Sequence, residues 1–197
     1  GICGVVSKLL EVDAKYVTAI ETAMGRAMQN IVVTNEKAAK NSIEYLKNSN
    51  GGRATFMPLT SVSSSALISP PSNDKGYIGI ASSLIEYDKK YDGIFKYLLG
   101  KTVICDNLDN ATAIAKKHGY KFRIVTLDGQ VVNAGGSFTG GSADKHSGLI
   151  SRTKEIEALR DEVLKLQKLI DKSDLQIEKN LDAIRKIASE KEKLDSA

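Results

Sequence analysis

Ala134-Gly135-Gly136-Ser137-Phe138-Thr139-Gly140-Gly141-Ser142 and, a few residues later, the run from Leu149 to Leu194 together decide how this chain is read. Counting from Leu149 in sevens gives Leu149, Ile156, Val163, Ile170, Ile177 and Ile184. The companion position, three residues further on, holds Arg152, Leu159, Leu166, Ser173, Asn180, Ile187 and Leu194. An apolar repeat every 3.5 residues keeps one edge of a helix facing a partner, so this stretch predicts a coiled-coil helix. Ser173 and Asn180 are polar at consecutive core positions, which weakens the seam there and fixes its register. At 1.5 Å per residue the helix would run roughly 69 Å, about twice the diameter of a small domain. Folding back on its own domain is therefore the weaker reading. The expectation is a compact domain with half a coiled coil attached, a piece of something longer.

The 197 residues fit one globular body of ~150 residues plus the helix, enough for a real core. No apolar stretch nears the ~20 residues of a membrane span, and no signal peptide is evident. The abrupt start at Gly1-Ile2-Cys3-Gly4 reads as a cut through a larger protein. Cys3 and Cys105 lie at no metal or disulfide-framework spacing and suit a reducing cytosol, so buried free thiols and a cytoplasmic protein are expected. Residues 151–197 hold eleven basic and eleven acidic side chains, which leaves the whole net charge of +4 on residues 1–150. That surplus permits weak anion binding, although most such surpluses are solvated surface.

Residues 1–150 alternate between helix and strand patterns. Asp13 is placed to cap a helix through about Met24 that stops at Gly25. Ile31-Val32-Val33 reads as a buried strand, Lys37 to Lys47 as a helix, and Arg53 to Leu59 as a strand. Ser61 to Asp74, rich in Ser and Pro, is a loop and the best candidate for a subdomain boundary. Tyr77 to Ile80 is a strand and Asp92 to Leu99 a helix. The stretch Ile31 to Ala39 then lines up with Val103 to Ala111 at an offset of 72, each a strand, a polar cap ending in Asn, and a helix. Gly25 and Gly100 precede the two copies, and Arg53 and Arg123 open matching strands. The expected fold is α/β (α+β), with two pseudo-repeated subdomains of mixed sheet and helices at 1–80 and 81–148, followed by the coiled-coil helix at 149–197.

Catalytic motifs are scarce. Gly100-Lys101-Thr102 is the one string resembling a phosphate loop, but Phe95 stands where its first glycine belongs. It also follows a helix and leads into a strand, the reverse of the order that cradles phosphate. His118 and His146 lie far apart and away from any cysteine or carboxylate at ligand spacing. Asp106 and Asp109 flank a helix start, where capping explains them. Asp128-Gly129 sits between two strand-like runs and signals a hairpin. The glycine block could be a phosphate nest, a flexible linker, or a surface for backbone-to-backbone contact. Phe138 and Thr139 inside it favour the last.

Four stretches carry a resemblance: Gly4 to Leu10, Ala19-Ile20-Glu21 through Gly25 to Val33, Arg123 to Gly129, and Gly135 to Gly141. Followed by a heptad helix, they resemble the hinge domain of the structural-maintenance-of-chromosomes (SMC) family, of the bacterial chromosome-condensation type. The resemblance implies a two-subdomain hinge at the end of a long antiparallel coiled-coil arm. Its second helix would be an upstream segment of the same polypeptide. ATP and Mg would belong to a head domain absent here, so no cofactor and no catalysis are expected of this fragment. Two hinges would form a homodimer, with the double-glycine contact carried onto Gly135, Gly136, Gly140 and Gly141. Phe138 and Gly79 are included in the expected interface. Lys145, Arg152 and Lys154 are the candidate DNA contacts. The function implied is to join two arms so that a nucleoid-associated complex can entrap DNA; the alternative is an α/β domain whose main role is DNA contact.

Overall fold

A computed structural model of the chain describes residues 1–141 and 148–195. Gly1–Arg152 form one compact unit and Thr153–Ala197 a second.

The first unit runs through one order of elements twice. The first pass comprises β1 (Ile2–Val5), a one-turn 3-10 helix (Val6–Lys8), β2 (Glu11–Val12), another such turn (Ala14–Tyr16) and α1 (Val17–Met24). After a 3-10 stretch at Gly25–Gln29 it continues with β3 (Ile31–Val33), α2 (Glu36–Asn48) and β4 (Phe56–Pro58). The second pass has β5 (Tyr77–Ile80), a turn at Ala81–Ser83, β6 (Ile85–Glu86), a turn at Lys89–Tyr91 and α3 (Asp92–Leu99). It goes on to β7 (Thr102–Cys105), α4 (Leu108–Lys117) and β8 (Arg123–Thr126), then adds β9 (Val131–Val132) and β10 (Phe138–Thr139).

The two sheets repeat as well. In the order β1-β3-β4, β1 is antiparallel to β3 and β3 is parallel to β4. In the order β5-β7-β8 the senses are the same. The second sheet is then extended by β9 antiparallel to β8 and β10 antiparallel to β9. β2 and β6 pair antiparallel with each other and stitch the two passes together. The internal similarity expected at offset 72 is thus a repeat of topology.

Local chemistry explains the repeated elements. Asn35 Oδ1 accepts from the Ala38 N–H at 3.0 Å, and Asn107 Oδ1 from the Asn110 N–H at 2.9 Å. Each satisfies an amide that a helix start leaves open. Asp13 does not act this way: it makes no side-chain cap bond, and the chain enters α1 through the Ala14–Tyr16 turn. Asp106 accepts from the Asn107 N–H at 2.7 Å and from Asn110 Nδ2, which braces the start of α4.

The expected boundary at residue 80 needs correcting. Tyr77–Ile80 pairs with β7, so β5 belongs to the second sheet, and the passes change over in the Ser/Pro-rich stretch before it. Nor does each pass have its own core. Val6, Ile20, Met24, Val32 and Met57 of the first pack in one cluster with Ile94, Phe95, Leu99, Ile104 and Val125 of the second. Only the α4 face, with Val103, Cys105, Ala111, Ile114, Ile124 and Val132, forms a separate cluster. Arg123 reinforces the join: its Nη1 donates to Ala23 O at 2.9 Å and its Nη2 to Thr22 O at 3.3 Å. A guanidinium at the end of α1 complements the partial negative charge of the helix terminus.

α5 (Leu149–Asp195) is one continuous helix. Along its second-unit portion Ile156, Val163, Ile170, Ile177 and Ile184 are exposed, as are Leu159, Leu166 and Ile187. The seam predicted from the heptads is present as an uncovered apolar stripe.

Candidate functional site

The glycine block builds the β9–β10 hairpin at one edge of the larger sheet. Val131 and Val132 are buried, and the chain reverses over Asn133–Ser137. The Gly136 N–H donates to Asn133 O at 3.0 Å and the Asn133 N–H to Ser137 O at 2.8 Å. Gly135 and Gly136 sit at φ +86° and +92°, a region that residues with a Cβ avoid. These two glycines are therefore required by the turn. A Cβ on Gly135 would meet nothing within 4 Å. Close backbone approach is not needed to explain the pair.

β10 has an open outer edge, and its polarity can be assigned. Ser137 O accepts from β9, and the Gly141 N–H and C=O are both taken by the Gln130 side chain, at 3.0 and 3.1 Å. Backbone groups alternate in direction along a strand. Residues 137, 139 and 141 therefore turn inward, while Phe138 and Gly140 turn their N–H and C=O outward. The Phe138 side chain is 52% exposed, on the same sheet face as Val132, its partner across the ladder. Gln130 holds the second glycine pair in place: a Cβ on Gly140 would fall 2.0 Å from Gln130 Oε1. Sequence reasoning passed over Gln130, since nothing in its neighbourhood signals a side chain standing in for a strand.

β4 is one terminal strand of the smaller sheet, with β1 at the opposite side, and its outer edge is open. The Ile31 N–H donates to Thr55 O and the Leu59 N–H to Val33 O, both at 2.9 Å, so 55, 57 and 59 face β3. Phe56 turns its N–H and C=O outward. Pro58 shares that outward position and has no N–H to leave unpaired, which is where proline is tolerated in a sheet. The equivalent strand of the second pass, β8, is covered by β9. β4 has no such cover.

Gly79 does not belong to this surface. It is buried, at a register shift between β5 and β7, and a Cβ there would lie 3.1 Å from Leu84. Gly4 occupies the matching place in β1, with Leu9 at 3.0 Å. Both are packing glycines of the repeat.

Of the basic candidates, Lys145 lies outside the described residues, as does the side chain of Lys154. Arg152 is exposed, and its N–H donates to Gly148 O at 3.0 Å in the first turn of α5. The first turn of α5 shows a contact the sequence did not foretell: Glu21 Oε1, on α1, accepts from the Ile150 N–H at 2.7 Å. Ile150 is buried in the shared core, and a Cβ on Gly148 would land 1.5 Å from Glu21 Oε2.

Several titratable groups have structural surroundings. Burial pushes the Cys105 thiol up to about 11, which suppresses the reactive thiolate. Asp74 receives Lys117 Nζ and sits 2.6 Å from His118 Nε2, which ties the inter-pass loop to the end of α4. Those hydrogen bonds, Lys117 first, hold its carboxyl below the ordinary value. Asp128 accepts from the Thr126 hydroxyl inside the β8–β9 turn. Among the described residues no group of three or more His, Cys, Asp or Glu could hold a metal, and no helix is long and apolar enough to cross a membrane.

Residues 1–115 match the family of SMC proteins' flexible hinge domain. The chain is 44% identical over 171 residues to the chromosome partition protein Smc of Halothermothrix orenii, covering 85% of this chain and 14% of that protein. It is similar to the crystal structure of an asymmetric dimer of the Geobacillus stearothermophilus SMC hinge domain, with a TM-score of 0.74 and 42% identity. That match covers 87% of this chain and 71% of the other. The Pyrococcus furiosus Smc hinge domain with an extended coiled coil matches with a TM-score of 0.63 and 33% identity, over 85% of this chain and 60% of that one. The chain spans only 14% and 16% of the length of the first two curated relatives it matches.

Proposed function

The chain belongs to the family of SMC flexible hinge domains, and from that premise we propose that it is the dimerisation hinge of a chromosome-partition ATPase. Two copies join by sheet extension. The β10 edge of each lies against the β4 edge of the other, so one chain supplies both a donor edge and an acceptor edge. The carrying observation is the unequal repeat: β8 is followed by a covering hairpin, β4 is not, and the hairpin ends in an open edge of its own. Uncovered edges are an aggregation hazard that a specific partner removes.

In this reading α5 is one strand of a coiled-coil arm, and a helix from elsewhere in the longer polypeptide covers its seam. Nucleotide chemistry resides outside these residues, in the cytoplasmic complex that the arms complete. DNA is a partner of that assembled complex, and Lys145, Arg152 and Lys154 remain its candidate contacts.

Sedimentation of the chain across a dilution series tests the edge pairing. Phe138→Pro, which removes one outward N–H, should give folded chains whose association is greatly weakened. DNA contact would show as binding that weakens steeply with salt, whereas the sheet contact would barely respond.

A further inference from the structure

Resting on the reading of β10 as a dimer edge, we propose that Tyr120 is the residue that positions the β9–β10 hairpin, and thereby sets where that edge is presented. The observation that leads there is a backbone one. Tyr120 sits at φ +53°, in the left-handed region that a bulky side chain disfavours. Such a conformation persists only where the surroundings over-determine it, and it gathers at the working parts of a fold.

The two passes show what the conformation is for. α2 and α4 end alike: the Gly51 N–H donates to Leu46 O at 2.9 Å and the Tyr120 N–H to Ala115 O at 2.8 Å. Asn50 at φ +49° and Gly119 at φ +64° make a left-handed step just before. Each pass then takes a second such step. The first pass, which carries no hairpin, takes it on a glycine, Gly52 at φ +79°. The second pass takes it on Tyr120. Glycine would serve there without strain, so the side chain is kept for what it touches.

What it touches is the tip of the hairpin. Tyr120 O accepts from the Gly135 N–H at 2.9 Å. The ring lies over Gly136, where an added Cβ would be 3.5 Å from the nearest ring carbon. The same side chain packs against the cluster that α4 forms with β7 and β8. Gln130 clips the far end of β10 at Gly141, so Tyr120 and Gln130 hold the strand from its two ends. A preordered edge loses less conformational freedom when it pairs, so a residue inside the chain can raise affinity by holding it.

Tyr120→Asn in the full chain tests this, because asparagine accepts the left-handed backbone but has no ring. Amide exchange read at high dilution, on the dissociated chain, should quicken about tenfold or more at Gly135 and Gly136. It should stay unchanged at Ile104 and Val125 of the shared core. Sedimentation should show the dimer dissociation constant raised about tenfold or more. Tyr120→Phe keeps the ring and should match the parent in both measurements. Equal exchange at Gly135 and Gly136 in the asparagine variant and the parent would overturn the proposal. So would faster exchange throughout the core, which would make Tyr120 a general packing residue. If Phe138→Pro breaks the dimer but Tyr120→Asn leaves association unchanged, the positioning role is wrong while the edge pairing stands. If neither variant weakens association, the dimer reading falls, and this proposal with it.

Discussion

Replacing Phe138 by proline separates an interface role for β10 from a purely internal one. The inward bonds of β10 use residues 137, 139 and 141, so a proline at 138 removes no hydrogen bond of the isolated chain. In the dimer the missing N–H costs one inter-strand hydrogen bond at each of two contacts, about 1 kcal/mol apiece. It also leaves the facing carbonyl short of a partner, at roughly 1–3 kcal/mol for a buried group. Over both contacts that amounts to about 4–8 kcal/mol, or ~10³-fold or more in dissociation constant. Phe138→Ala serves as the control, since it trims the side chain and keeps the N–H. Sedimentation velocity over a wide dilution range reads association, and amide exchange at Val131 and Val132 reads whether the hairpin survives. Unchanged dimers with an intact hairpin would refute the edge pairing.

Three further outcomes follow from particular residues. Asp74 has a depressed carboxyl, so it contributes stability above its ordinary value of 3.8 and loses that contribution as pH falls through its lower folded value. In urea titrations Asp74→Asn should be less stable than the parent at neutral pH, and the gap should close in acid; a gap that persists at low pH would discount the ion pair. Glu21→Ala should speed amide exchange at Ile150 about tenfold or more, because a charged acceptor contributes about 1.5–3 kcal/mol. Glu21→Gln should recover part of that protection, and equal exchange in all three chains would mean that the carboxylate does not hold the first turn. Gly79→Ala should destabilise the chain by ~1–3 kcal/mol through overpacking against Leu84, read as a lower denaturation midpoint, without changing the oligomeric state. Loss of the dimer there with full stability would return Gly79 to the interface.

How much the sequence disclosed depended on the range of each interaction. The heptads, the Asn35 and Asn107 caps and the Asp128-Gly129 hairpin are local signals, and all are found where the pattern places them. The repeat was visible because both passes use the same caps and strands. The glycine block stands out in the sequence, but its internal causes do not: Gly135 and Gly136 answer to φ, and Gly140 to Gln130. A buried Gly79 looks no different in sequence from an interface glycine, since its cause is Leu84 across a strand shift. Glu21 was hardest to foresee, because its partner is 129 residues away. The two-residue β10 is too short for alternation to reveal, and only the ladder to β9 defines it.

The core shared by both passes makes the body a ruler. Phe95, Ile94 and Leu99 pack among Val6, Ile20 and Met57, so neither pass can pivot without opening that cluster. β4 and β10 are thereby held at one fixed separation within each chain. In the proposed dimer a partner must present its own two edges at that same span, in reverse, for both contacts to close together. Length matching of this kind discriminates without any charge or pocket: a relative with similar edges but a slightly different span could satisfy one contact and strain the other. Substitutions deep in the cluster, far from either edge, should therefore be able to change which chains pair.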